Sequence, residues 1–162
     1  MKQKGITLIQ LVITIVVMLI LASLAIFQGS NVTTEATIAK EYESMKEVKK
    51  AVEQSALLLE INPKTYKEQE IFGTALNDVN KQSYYARIGL TSADELSDRT
   101  YLVTKDNQKN FELDKIPDGK IYIVDLDNQK YYVVDGVQRE DNTKAYEYLD
   151  ILKLYNMLTG KD

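Results

Sequence analysis

Residues Ile6 to Phe27 form an uncharged stretch of 22 residues behind a short basic leader, Met1-Lys2-Gln3-Lys4-Gly5. At the α-helical rise this run gives roughly 33 Å of helix, enough to cross the hydrocarbon core of a bilayer. Lys2 and Lys4 precede it, and the first positive charge after it is Lys40. Basic residues hold the cytoplasmic side, which predicts a single-pass topology with the N-terminus inside and the rest outside. A permanent anchor is one reading. A cleaved secretory signal is a second, since Ser23-Leu24-Ala25 offers a small-x-small site. Against it, an ordinary signal core spans about 7–15 residues, and this run is already longer at Ala22.

A third reading comes from a resemblance. Lys4-Gly5-Ile6-Thr7-Leu8-Ile9 followed by a long apolar helix resembles the leader and helix start of type IV pilins and pseudopilins. The resemblance is close from Lys4 to Phe27 and loose along the helix beyond. It implies that a prepilin peptidase cuts between Gly5 and Ile6 and methylates the new N-terminal Ile6. It further implies storage in the membrane and extrusion by an assembly platform with its ATPase into a pilus or pseudopilus of similar subunits. Family-typical sequences carry a glutamate five residues into the mature chain, where this chain has Gln10. The variant resembles pilin-like proteins of low-GC Gram-positive bacteria, which often lack that glutamate. Independently of the family, Thr7, Gln10 and Thr14 are spaced three and four apart and share one helix face. Thr can bond a carbonyl one turn back, whereas Gln10 needs a protein partner in lipid. The face is read as a contact with neighbouring helices, and a weakly polar stripe without a role is the alternative.

Composition bounds the chemistry. The chain has no cysteine and no histidine, which excludes a disulfide scaffold, a thiolate zinc site and a Ser-His-Asp triad. There is no Gly-rich phosphate loop, so neither an enzyme nor a cofactor is expected. Net charge is −4, and loss of residues 1–5 leaves 18 basic against 24 acidic side chains, a net of −6. Such a surface repels phosphate backbones, so bulk nucleic-acid binding is not expected. Lys46, Lys49 and Lys50 are interleaved with Glu41, Glu43, Glu47 and Glu53, the pattern of a solvated helix surface.

Four segments follow: a leader over 1–5, an assembly helix over 6–27, an amphipathic outer half over 28–61, and an extracytoplasmic α+β head over 62–162. Ile38, Tyr42, Met45, Val48, Val52, Ala56 and Leu59 recur every three or four residues on one face. Gln28-Gly29-Ser30-Asn31 is a soft joint, and Asn62-Pro63 stops the helix. Unbroken from Ile6 to Ile61, it is about 84 Å long. Lys67–Val79 predicts a short helix broken at Gly73. Ser92 with Glu95 reads as a capping box. Tyr101–Val103 predicts a strand, and Thr104 caps a helix over Lys105–Phe111 with Leu113 and Ile116 beneath. Ile121–Leu126 and Lys130–Val134 read as a hairpin turning at Asp127-Asn128-Gln129, opened by Pro117-Asp118-Gly119 and closed by Asp135-Gly136. Thr143–Leu158 reads as a helix with Ala145, Leu149, Leu152 and Tyr155 or Asn156 on one face. The fold class is therefore α+β, a long N-terminal helix on a small antiparallel sheet with a C-terminal helix.

Asp125-x-Asp127-Asn128 begins like a calcium loop, but Lys130 and Gly136 stand where an EF-hand needs Gly and Glu. A hairpin turn is the favoured reading. Because some pseudopilins carry calcium near the C-terminal sheet, the resemblance keeps Asp125 and Asp127, with Asp135 and Asp141, as candidate cation ligands. Tyr131 and Tyr132 alternate along a strand, which predicts one inside and one outside. The readings left open are a pilin-like structural subunit and an unprocessed single-pass protein with an outward interaction domain. A secreted enzyme is disfavoured by the missing His and Cys.

Overall fold

The computed structural model describes the backbone of residues 3–161 and the side chains of residues 11–22 and 33–161. The chain divides into two compact units, Met1–Ala36 and Thr37–Asp162. Helix α1 (Gln3–Ile61) supplies the described structure of the first and the opening element of the second. The soft joint expected near Gly29 falls within residues 23–32, outside the described side chains.

In the second unit the apolar stripe of α1 is the floor of the core. Ile38, Tyr42, Met45, Val48 and Val52 are buried, with Ala56 and Leu59 half-buried beside them. Outside that stripe Lys49 pairs with Glu53 and Lys46 with Glu43, the one-turn spacing that supports an exposed helix face. The Asn62 amide still donates to the Leu58 carbonyl at 2.9 Å, and Pro63, which has no amide hydrogen, prevents another turn.

Against α1 lies a four-stranded antiparallel meander, β1 (Thr100–Val103), β2 (Tyr122–Asp125), β3 (Lys130–Gln138) and β4 (Lys144–Glu147), in sequential order. Register places Tyr101 opposite Val124 and Val124 opposite Tyr131. These side chains pack with the α1 stripe. Leu102, Ile123 and Tyr132 align across the other face.

That other face is also covered. Leu76, Ile88 and Leu96 form a second buried cluster with Ile123, Tyr132 and Val134. The cover is a run of short pieces, α3 (Asp78–Tyr84) and single turns at Tyr85–Ile88 and Ala93–Glu95, whereas α2 (Glu68–Phe72) sends Phe72 into the first cluster against Tyr101 and Phe111. Tyr131 and Tyr132 are consequently both buried, at 7% and 2% exposure, one in each cluster. The expectation of one tyrosine outside is thereby corrected: alternation assigns faces, and burial depends on what covers them. The break expected at Gly73 is the end of α2, and the Ser92–Glu95 capping box is present.

Three local readings are corrected. The helix expected over Lys105–Phe111 is a single 3-10 turn, Gln108–Phe111, with Ile116 buried and Leu113 half-buried against the core. Asp135-Gly136 does not end the hairpin. Both residues have positive φ within β3, and the register shifts between Tyr132 and Val137. The expected helix over Thr143–Leu158 is instead β4 followed by α4 (Tyr148–Thr159). Ala145 is buried opposite Val137, Ile151 is buried, and Leu149 is 54% exposed. Pairing with β3 outweighs the helical spacing of those residues.

The positive-φ backbone at Gly136 and at Gly89 has a steric reason beyond the turn. A Cβ on Gly89 would lie 2.6 Å from one edge of the Tyr146 ring, and one on Gly136 would lie 2.7 Å from the other. The ring occupies a slot that only glycine leaves open. Arg87, two residues before Gly89, donates two hydrogen bonds to the Asp135 carboxylate at 2.9 and 2.7 Å. Covering segment and bulged strand are thus tied by shape and by a bidentate ion pair.

Candidate functional site

Two regions carry the functional argument, one in each unit. In the first unit, residues 11–22 of α1 are exposed without exception. Leu11, Met18 and Leu19 are each more than 60% open, and even Val16 and Val17 are 48% open. Successive residues step round a helix by about 100°, so every side of this segment is apolar and bare. A helix that is hydrophobic all round is stable only when surrounded by other apolar matter. Thr14 is exposed on this segment. Gly5, Ile6, Thr7 and Gln10 lie outside the residues whose side chains are described. The span expected over Ile6–Phe27 likewise extends beyond the described side chains. Among the described residues no helix is long and apolar enough to cross a membrane.

In the second unit a furrow of about 600 Å³ runs between the last turns of α1 and the β2–β3 hairpin. Its floor is apolar, formed by Val52, Ala56, Leu59, Leu126 and Tyr131. Its far wall is a charged cluster centred on Arg99. The guanidinium donates to both oxygens of Glu68, at 3.0 and 2.9 Å, and to Asp127 Oδ1 at 3.1 Å. The Tyr101 hydroxyl donates to Glu68 as well. The Arg99 hydrogen bonds hold the Glu68 carboxyl below its ordinary value against an opposing effect of burial. Burial raises Tyr101, and the Glu68 carboxylate adds to it. Tyr131 is pushed up to about 12, mainly by burial and further by the charge of Glu53.

The acidic residues of the hairpin have protein partners. Asp125 is fully buried. It accepts from the Ser97 amide at 3.0 Å and hydroxyl at 2.6 Å, and from the Asn128 backbone at 3.1 Å and side-chain amide at 2.8 Å. Burial acts to raise its pKa, but these four donors outweigh burial and hold the carboxyl below the ordinary range. Asp127 is engaged by Arg99 and Asp135 by Arg87, and Asp141 accepts from Thr143. The four acids are not gathered at one point. Among the described residues no group of three or more acidic side chains is placed to hold a metal ion.

No family model, curated protein or solved structure matches the chain.

Sequence reasoning missed the cluster of Arg99, Glu68, Asp127 and Tyr101, whose members come from three separate segments. It also placed Glu41 on the solvated helix surface, and the structure corrects this. This residue is 5% exposed within the α1 stripe and accepts from the Tyr122 hydroxyl at 2.9 Å and from Lys120 Nζ at 2.6 Å. Burial lifts the Tyr122 phenol above its ordinary value, and the Glu41 carboxylate reinforces this. The available signal was a glutamate one residue before Tyr42 and four before Met45, on the edge of the apolar stripe.

Proposed function

We propose that the chain is a type IV pilin-like structural subunit, without an active site of its own. It is made as a prepilin and inserted with its N-terminus in the cytoplasm. A prepilin peptidase cuts it between Gly5 and Ile6 and methylates Ile6, and it is then extruded by helix packing among similar subunits. The observation that supports this most is the segment 11–22, apolar on every side and exposed on every side. Lipid and a bundle of like helices are the two surroundings that satisfy it, and a pilin passes from one to the other. The basic leader ending at Gly5 and the amphipathic continuation of α1 on an antiparallel sheet agree with the same plan.

The deciding measurement is the intact mass of protein extracted from membranes. Loss of residues 1–5 with gain of one methyl group is expected. An unprocessed chain would support the runner-up, a permanently anchored interaction domain. A product cut after Ala25 and released would support a secretory signal.

Gln10 points to a minor place in the fibre. A charged N-terminal amine in an apolar core is costly without a counter-charge. Gln10 can accept a hydrogen bond from it but cannot neutralise it, and a charge-assisted bond is about twice as strong. Counted in sheared fibres by a label, the protein should be rare beside the major subunit, and Gln10→Glu should raise its incorporation. A filament built mainly of this chain with Gln10 unchanged would refute the minor position.

A further inference from the structure

We propose that the furrow beside the last turns of α1 is a docking site for a peptide segment of a partner protein in which basic residues flank an apolar one. This rests on the head alone and holds whether or not the leader is processed.

Charge and shape both select that occupant. Glu53 and Glu60 stand on the α1 rim, seven residues apart and so about 10 Å along the helix. Leu57 lies between them and is 53% exposed. Glu53 is shared with Lys49, whereas Glu60 is exposed with no cation of its own among the described residues. On the opposite wall Arg99 is the one cation lining the furrow, and Glu68 and Asp127 already occupy it. Three carboxylates, Glu53, Glu60 and Glu68, therefore line the furrow against Arg99, an excess of two negative charges. An anionic ligand meets no free cation there. A basic one meets Glu60 directly and can share Glu53.

The floor sets the second requirement. Ala56, Leu59 and Leu126 offer apolar surface at the bottom of an open trough. Lysine or arginine stems can lie along such surface while their charged ends reach the rim. An apolar side chain between them would fill the trough over Leu59. A purely hydrophilic cation would leave that surface wet.

The test uses the full chain in nanodiscs of zwitterionic phosphatidylcholine, with empty discs as blank. Probes are short fluorescent peptides of alternating lysine and leucine, glutamate and leucine, or lysine and serine. Saturable binding is expected for the lysine–leucine peptide alone, weakening as salt rises. Glu60→Lys and Leu57→Gln should each weaken it about tenfold or more. Both positions are exposed, and an unchanged circular dichroism spectrum would show the fold intact. The proposal is overturned if the lysine–leucine peptide does not saturate. It is equally overturned if the glutamate or serine peptide binds as well, or if neither variant weakens binding.

Discussion

Asp125→Ala is expected to lower the stability of the head by about 4 kcal/mol, with no recovery on adding calcium. The carboxylate is buried and accepts four hydrogen bonds from Ser97 and Asn128. Its removal leaves those donors facing a small cavity, each at a cost of about 1–3 kcal/mol where water cannot enter. The pH dependence has a definite sign. The folded-state pKa of Asp125 is lowered. Its contribution is therefore complete above the unfolded value of about 3.9 and is lost as pH falls through the folded value. Urea melts of wild type and Asp125→Asn should differ most at neutral pH and converge in acid. A gap that widens in acid, or recovery of Asp125→Ala by calcium, would contradict the assignment of Asp125 as a turn anchor.

Glu41→Ala should cost about 3 kcal/mol, and Lys120→Ala about 1 kcal/mol or less. The two residues form one ion pair, yet their surroundings differ. The Glu41 side chain is 6% exposed and that of Lys120 is 34% exposed. Freed Lys120 can turn to water, whereas removal of Glu41 takes the carboxylate acceptor from the buried Tyr122 hydroxyl and opens space beneath the sheet. Thermal melts of the two variants check the ordering. Equal losses would mean that the ion pair, and not the buried carboxylate, joins helix to sheet.

Legibility in the sequence followed the range of the forces. The α1 stripe from Ile38 to Val52 was readable because its period is written in adjacent turns, and Pro63 marks its end in the same local terms. The β2–β3 hairpin was readable because both strands and their turn are contiguous. Strand β4 was not. Ala145, Leu149 and Leu152 have helical spacing, and what makes Lys144–Glu147 a strand is the pairing of Ala145 with Val137. The turn chemistry of Asp141-Asn142, with Asn142 at φ 64, was the one local hint. The inward position of Tyr132 was hidden for a related reason. Its cover comes from pieces as short as the Ala93–Glu95 turn, too short to show a period. The acids of the hairpin suggested cation ligands because their donors, Ser97 and Arg99, lie 28 residues upstream. The furrow was illegible altogether, since its two walls approach only after folding. The apolar N-terminal segment was the plainest signal in the chain, and the roles proposed for Gly5, Ile6 and Gln10 rest on the sequence alone.

The placement of the core stripe on the first-made element has a consequence in time. Glu41 waits for Tyr122 across 81 residues of chain, and Tyr42 waits longer for the Tyr155 ring that stacks on it at 4.2 Å. At ribosomal speeds of about 5–20 residues per second, the first of these delays is on the order of ten seconds. The meander suffers no such delay, because each strand pairs with the one just finished. During synthesis the head therefore passes through an interval in which its helix exists and its complement does not. For that interval an oily ridge with a carboxylate set into it faces water. Closure begins only when β2 brings Tyr122 and Val124 to the stripe, so a chain stopped before β2 holds a helix that has no sheet to close upon.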